Sequence, residues 1–313
     1  MARDNDTEIR RRTHRYSVRQ LTRRAAFESG PTALHVEAAT IDLRRLVVVQ
    51  YVDFRTGYPE TVAGLVKFSA NGESPDVKRN IRLATPADFR ESGYEPGIAD
   101  DLDAAQQADM APYLARSSSR KGSYVAANDI SASAIFTATE EPWVYCASIA
   151  PTRSYGAGSL GALEKEFAES KGRDAAITAI DDPRLFARQL GLELALAVKV
   201  GRDVEDNYAM EMLDRKLARH VCGLNSLPPV DTVVWVNHGP VHYEERRLVI
   251  ETESDMPTME ALRVCFTKRP EFSGQREYRF AVRFTGGPKW KAILLQASGE
   301  LLRKTRRLGE GGK

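Results

Sequence analysis

Segments with the alternation and β-branched content of strands open and close this chain, and segments with helical spacing lie between them. Regular βαβ units would interleave the two types. Strands, then helices, then strands argue instead for an α+β domain: a central twisted sheet, mixed or antiparallel, with helices packed on one side. The first strands are read in ALHVEAATIDL, RRLVVVQYVDF and TVAGLVKFSA, separated by turns such as Thr56-Gly57 and Asn71-Gly72. SASAIFTATE and PWVYCASIA follow, the second placing Val144 and Cys146 on one face and Tyr145 and Ala147 on the other. TVVWVNH, HYEE, RLVIET, ALRVCFTK and QREYRFAVRF complete the set.

The middle is read as three helices. One runs from Leu160 to Ser170 after the bend Gly156-Ala157-Gly158-Ser159. A second opens at Asp182-Pro183, a capping Asp followed by Pro at the first helical position, with Leu185, Phe186, Leu190, Leu194 and Val198 as its apolar stripe. The third spans about 203 to 222 and stops at Gly223. A terminal helix is expected from Lys289 to Arg307, carrying Leu294, Leu295, Leu301 and Leu302.

Charge divides the chain further. From Ile9 to Arg24 there are seven arginines and no acidic residue, which sets residues 1–30 apart as a basic arm. Between Pro86 and Asp109 seven acidic residues face only Arg90, an acidic and partly helical excursion. Residues 31–288 are expected to form the α+β domain, with a flexible Ser-rich loop near 116–124. Residues 289–313 make a basic C-terminal helix and tail. Lys+Arg 45 against Asp+Glu 43 leaves a net charge of +2, so nucleic acid would be held by a local patch and not by bulk charge.

Three widely spaced cysteines, Cys146, Cys222 and Cys265, do not make a disulfide framework and suit a reducing cytoplasm. The charged start lacks the apolar core of a signal peptide, and no stretch approaches eighteen apolar residues. The expectation is a cytoplasmic protein with no membrane contact.

Chemistry is most concentrated between Cys265 and Phe284. Alternation puts Gln275, Glu277, Arg279 and Arg283 on one face and Tyr278, Phe280, Val282 and Phe284 on the other. The aromatic face enters a core, and the polar face is wet or ion-paired. An exposed Glu277–Arg279 pair would contribute only about 0–1 kcal/mol. Two other constellations were weighed. His220, Cys222, His238 and His242 fall in one window, but a Gly-Pro bend separates the last two, and no metal is expected. Cys146 and Cys265 lie inside apolar strands and read as core residues rather than nucleophiles.

The triplet Gln275-Arg276-Glu277 resembles the Gln-x-Glu element of mono-ADP-ribosyltransferases. That resemblance implies NAD as co-substrate. Glu277 would be the catalytic carboxylate that holds the nicotinamide ribose and stabilises its oxocarbenium-like transition state, and Gln275 would orient the acceptor. The same superfamily uses an early strand Arg and a Ser-containing strand, and the candidates here are Arg55 after YVDF and Ser148 in YCAS, with Arg279 as a further cofactor contact. A longer stretch, about 144–284, is similar to a loosely defined group of uncharacterised bacterial proteins from mobile-element and defence neighbourhoods. These share a Lys followed by Glu-x-Arg, here Lys268, Glu277 and Arg279. This resemblance implies a prokaryotic protein of the toxin or phage-defence sort.

A second class of function rests on the arm. Arg10, Arg11, Arg12, Arg15, Arg19, Arg23 and Arg24 would contact phosphates and bind nucleic acid without reading its sequence, as a non-catalytic subunit of a defence or mobile-element complex. A third is a structural protein that assembles, with a protein partner or with copies of itself, through its basic ends.

Overall fold

The computed structural model describes residues 25–27, 34–42, 45–53, 64–69, 74–91, 105–110, 124–128, 131–137, 142–150, 160, 163, 176–197, 232–245, 247–250, 264–284 and 292–308. Most of the strands build one eleven-stranded sheet. In chain order its members are β1 (Ala25–Phe27), β2 (Leu34–Asp42), β3 (Arg45–Tyr51), β4 (Leu65–Ser69) and β5 (Asn80–Ala84). Two short helices, α1 (Pro75–Lys78) and α2 (Pro86–Glu91), flank β5. Three strands, β6 (Ala105–Met110), β7 (Tyr124–Asn128) and β8 (Ser131–Thr137), then leave the main sheet and form a separate one. The chain rejoins it with β9 (Trp143–Ile149) and β10 (Ala176–Ile180), followed by the long helix α3 (Pro183–Ala197) and β11 (Thr232–Pro240).

Two small strands come next, β12 (His242–Tyr243) and β13 (Arg247–Ile250), the latter adding to the β6–β8 sheet. After them β14 (Thr267–Lys268) pairs with β12, and a 3₁₀ turn at Pro270–Gln275 leads into β15 (Glu277–Phe284). The chain ends with β16 (Ala292–Gln296), α4 (Gly299–Leu302) and β17 (Arg306–Leu308). Across the main sheet the order is β1-β2-β3-β11-β15-β9-β4-β10-β17, with β5 and β16 branching from β9. Its β3–β11 pair is parallel and the other main-sheet pairings are antiparallel, so the α+β architecture has a mixed central sheet.

One face of this sheet carries the main core. Val47 and Val49, Val234 and Val236, Phe280 and Val282, Tyr145 and Ala147 alternate onto it, and α3 covers them with Phe186, Leu190 and Leu194. The aspartate cap is formed, because the Leu185 N–H donates to Asp182 Oδ1 at 2.9 Å. At the other end the Arg45 guanidinium donates to the Ala195 carbonyl at 2.9 Å, occupying a carbonyl the helix cannot satisfy itself. Gly191 lets the helix approach: a Cβ there would lie 2.6 Å from Val47 Cγ1 and 2.8 Å from Val236 Cγ2.

Three expectations are corrected. Leu185 is 40% exposed and off the α3 stripe, whose members repeat from Phe186. ALRVCFTK is not a continuous strand, since Val264–Cys265 are helical and only Thr267–Lys268 pair as a strand. The terminal helix is absent. Ile293 and Leu295 point inward while Leu294 is 67% exposed, the alternation of a strand, and Ser298 then caps a four-residue helix of its own. Of the helix read at 160–170 only Leu160 and Leu163 are described, both buried; the helix read at 203–222, the loop near 116–124 and the basic arm up to Arg24 lie outside the described residues. Among the described residues no helix is long and apolar enough to cross a membrane.

Candidate functional site

The other face of β15 holds the polar cluster. Its entry is set by Arg276, a non-glycine residue at φ 46°, ψ 46°, whose left-handed backbone ends the 3₁₀ turn and starts the strand. The neighbouring strands fix the two flanking peptides: the Ile149 N–H donates to the Arg276 carbonyl at 2.7 Å and the Val241 N–H to the Glu277 carbonyl at 2.9 Å. Gln275 is therefore part of the turn and not of the strand face on which alternation placed it.

Glu277 is held on both carboxylate oxygens. Arg279 Nε donates to Oε1 at 2.6 Å, and Lys268 Nζ lies 3.0 Å from Oε2. Lys268 also donates to Gln275 Oε1 at 3.1 Å and sits 4.9 Å from the centre of the Phe272 ring. The second arm of Arg279 reaches the Cys265 carbonyl at 2.6 Å. Tyr243 accepts the backbone N–H of Glu277 at 2.7 Å, and the Cys146 thiol is hydrogen-bonded to the carboxylate. Antiparallel register sets Ser148 directly opposite Glu277, and Cys146 opposite Arg279. Arg279 is 1% exposed, and Lys268, Ser148, Glu277 and Gln275 are buried with it.

The cover comes from the segment before β15. Cys265 and Phe266 pack on Val144 and Ala281. Hydrogen bonds from the His242 N–H to the Phe266 carbonyl and from the Glu244 N–H to the Lys268 carbonyl tie this segment to β12. The ion pair expected at a strand surface is thus enclosed between the sheet and a second layer.

Enclosure decides the charge states. Burial alone pushes the Glu277 carboxyl up, but Arg279 and then Lys268 outweigh it and hold the group well below the usual carboxylate range. Burial, reinforced by the Glu277 charge, raises the Cys146 thiol, so it stays protonated. The same two causes raise Tyr243. The arrangement presents a fixed anion, two cations and several neutral donors. Its carboxylate does not shuttle a proton near neutrality, yet it can stabilise developing positive charge once a cation yields its place.

Of the residues the sequence put forward, the fold brings Gln275, Glu277, Arg279 and Ser148 into one cluster with Lys268. Arg55 and Arg10, Arg11, Arg12, Arg15, Arg19, Arg23 and Arg24 lie outside the described residues. Tyr243 escaped sequence reasoning because its bond is to a backbone 34 residues away, which no local pattern reveals. Cys146 was read as apolar core; it is partly buried and turns its thiol to Glu277. Of the histidine window, His220 and Cys222 lie outside the described residues; His238 lies against Tyr278 and His242 against Glu244, and among the described residues no three metal-ligating side chains converge.

No protein-family model, curated protein or solved structure matches this chain.

Proposed function

We propose that the chain is an NAD-consuming, ADP-ribosyltransferase-like effector of the toxin or phage-defence sort, with Glu277 at its centre. The supporting observation is convergence: Ser148 on β9, Glu277 and Arg279 on β15 and Gln275 at the strand entrance meet around one ionised carboxylate. In the reaction the N-glycosidic bond of NAD breaks and nicotinamide leaves as a neutral base with the bonding electrons. The ribosyl cation left at C1′ is captured by a nucleophilic acceptor that gives up its proton. A carboxylate fixed beside C1′ lowers the barrier by opposing that positive charge, a type of stabilisation worth about 3–4 kcal/mol.

Lys268 and Arg279 occupy Glu277, so catalysis by this residue requires an exchange of partners. The pyrophosphate of NAD is the natural competitor, since both cations bind phosphate oxygens well. Drawing Lys268 to the pyrophosphate uncovers Oε2 for the ribose. Ser148, directly across the ladder from Glu277, would contact the same ribose, and Gln275 would orient the acceptor.

Nicotinamide release from NAD tests this directly. The wild-type protein is expected to release it and Glu277→Gln to release none, while Ser148→Ala keeps the fold and loses part of the rate. Absent release by the wild type, or equal release by a folded Glu277→Gln protein, rejects the enzyme.

The completeness of the Glu277 ion pairs favours a second reading, a non-catalytic nucleic-acid-binding subunit in which the cluster only locks the layer over the sheet. There, NAD turnover is absent. Neutralising Arg10, Arg11 and Arg12 lowers affinity for all sequences alike and flattens its salt dependence. Salt-insensitive binding rejects that reading.

A further inference from the structure

Two side chains of β11 carry buried polar atoms that nothing satisfies. Trp235 is 5% exposed and Asn237 8%, and among the described residues neither the indole Nε1–H nor the amide Oδ1 has a hydrogen-bond partner. Both point away from α3, because Val234 and Val236 of the same strand alternate onto the core beneath that helix. Their ladder neighbours share this face: half-buried Gln50 of β3 stands opposite Asn237 on one side, and Ala281 of β15 on the other. Ala281 is four positions from Glu277, about 13 Å along β15. The orphaned pair is therefore on the Glu277 side of the sheet, one strand across from it.

A buried N–H without an acceptor, two positions from a buried carbonyl without a donor, destabilises the fold twice over. An apolar residue at each position would fill the space without that cost. The two orphans are also of opposite kind. One molecule that offers an acceptor and a donor in the same plane satisfies both. Packing alone does not account for these residue types at these positions, whereas a ligand with such an edge does.

We propose that Trp235 and Asn237, with Gln50 at the rim, form a subsite for the adenine base of a nucleotide, either free or within NAD. A side-chain amide meets adenine through two bonds: its oxygen accepts from the N6 amine and its nitrogen donates to N7. The indole N–H then donates to another ring nitrogen of the base, and the Gln50 amide adds a polar contact where the base enters. On the same edge guanine presents two acceptors, which sets a lone pair against Asn237 Oδ1. Base recognition needs no chemistry at Glu277. Only the identification of the nucleotide as NAD rests on the transferase reading, with adenine held here and the nicotinamide ribose at Glu277.

The test is isothermal titration calorimetry of the full-length protein with adenosine, AMP, NAD and guanosine. Adenosine and AMP should bind saturably, and guanosine about tenfold or more weakly. NAD binding more tightly than AMP identifies the dinucleotide as the ligand; equal affinity identifies the mononucleotide. Asn237→Leu should weaken adenosine about tenfold or more and yet raise the melting temperature of the unliganded protein, because it removes an unsatisfied acceptor at nearly constant volume. Trp235→Phe, which leaves the amide in place, should weaken adenosine as well. No adenosine binding, equal binding of guanosine or wild-type affinity in the folded variants would each overturn the site. So would a lower melting temperature in Asn237→Leu, since the amide would then be satisfied within the fold. Nicotinamide release is read separately, so failure of one assignment leaves the other standing.

Discussion

Two carboxylate oxygens and two cations meet at Glu277 with almost no water around them, and this makes the residue intolerant of change. Removing one partner from a buried ion cluster strands the others, at a cost of about 3–5 kcal/mol. Glu277→Ala is therefore expected to lower the unfolding free energy by that order in urea titrations. Replacing Lys268, Glu277 and Arg279 together by apolar residues of similar volume should cost less than the single change. If the single and triple replacements are equally damaging, the cluster is not acting as a unit. At Arg276 the expectation is opposite. Its left-handed backbone costs a side chain about 1–2 kcal/mol, so Arg276→Gly should be neutral or stabilising and Arg276→Val clearly destabilising. The same-face pairing of Glu277 and Arg279 was legible from alternation; their burial was not. Alternation assigns faces, but it does not say whether a face is wet, and here the cover is brought by Cys265 and Phe266 and by Tyr243, none of them signalled by β15 itself.

Element by element, legibility follows how long a pattern runs. The fifteen residues of α3 repeat their apolar positions over four turns and begin with Asp-Pro, and both signals were readable. The stretch from Lys289 to Arg307 reads as helix because Leu294, Leu295, Leu301 and Leu302 fall at compatible spacings. Over five residues a two-residue period cannot be told from a helical one, and pairing with β5 decided for the strand. A tertiary contact then fixes the following turn: Glu193, buried on α3, accepts from the Ser298 N–H at 2.9 Å and from its hydroxyl, locking α4 against the helix. For α3 itself, Asp182→Ala should lose about 1 kcal/mol, the usual worth of an N-cap. Phe186→Ala should lose about 3–5 kcal/mol, because the ring packs between Tyr145 and Phe280 in a closed core. Gly191→Ala should also destabilise, since its methyl would press into Val47 and Val236; a variant as stable as wild type would show that α3 can lift from β3 and β11 at no cost.

For the whole molecule, burying ionisable groups on both faces of one sheet shapes stability against pH. His238 has a folded pKa of about 3 against an ordinary 6.5, so the unfolded chain binds its proton more readily. Its contribution is complete above 6.5 and is lost as pH falls from there towards 3. Glu277 is likewise depressed below its ordinary 4.5, so its contribution is complete above 4.5 and is lost beneath it. Tyr145 and Tyr278 are raised above their ordinary 10.0 by burial first, which gives stability present below 10 and lost as pH rises beyond it. The raised Cys146 thiol, ordinarily 9.0, is the first of these groups to favour the unfolded chain on the alkaline side, so the expected profile, from denaturant titrations at a series of pH values, is a plateau between about 6.5 and 9 with an acid limb in two stages. The upper stage has a limiting slope of about 1.4 kcal/mol per pH unit for one proton, and the lower, where both groups titrate down to about 3, about twice that. His238→Phe keeps the stacking on Phe280 and should flatten the upper stage between 6.5 and 4.5 and halve the slope of the lower; Glu277→Gln should leave the upper stage and halve the slope of the lower. An acid limb that begins only below 4.5 in the wild type would mean that His238 is protonated in the folded chain, and the neutral ring under α3 would then be the wrong description of that end of the sheet.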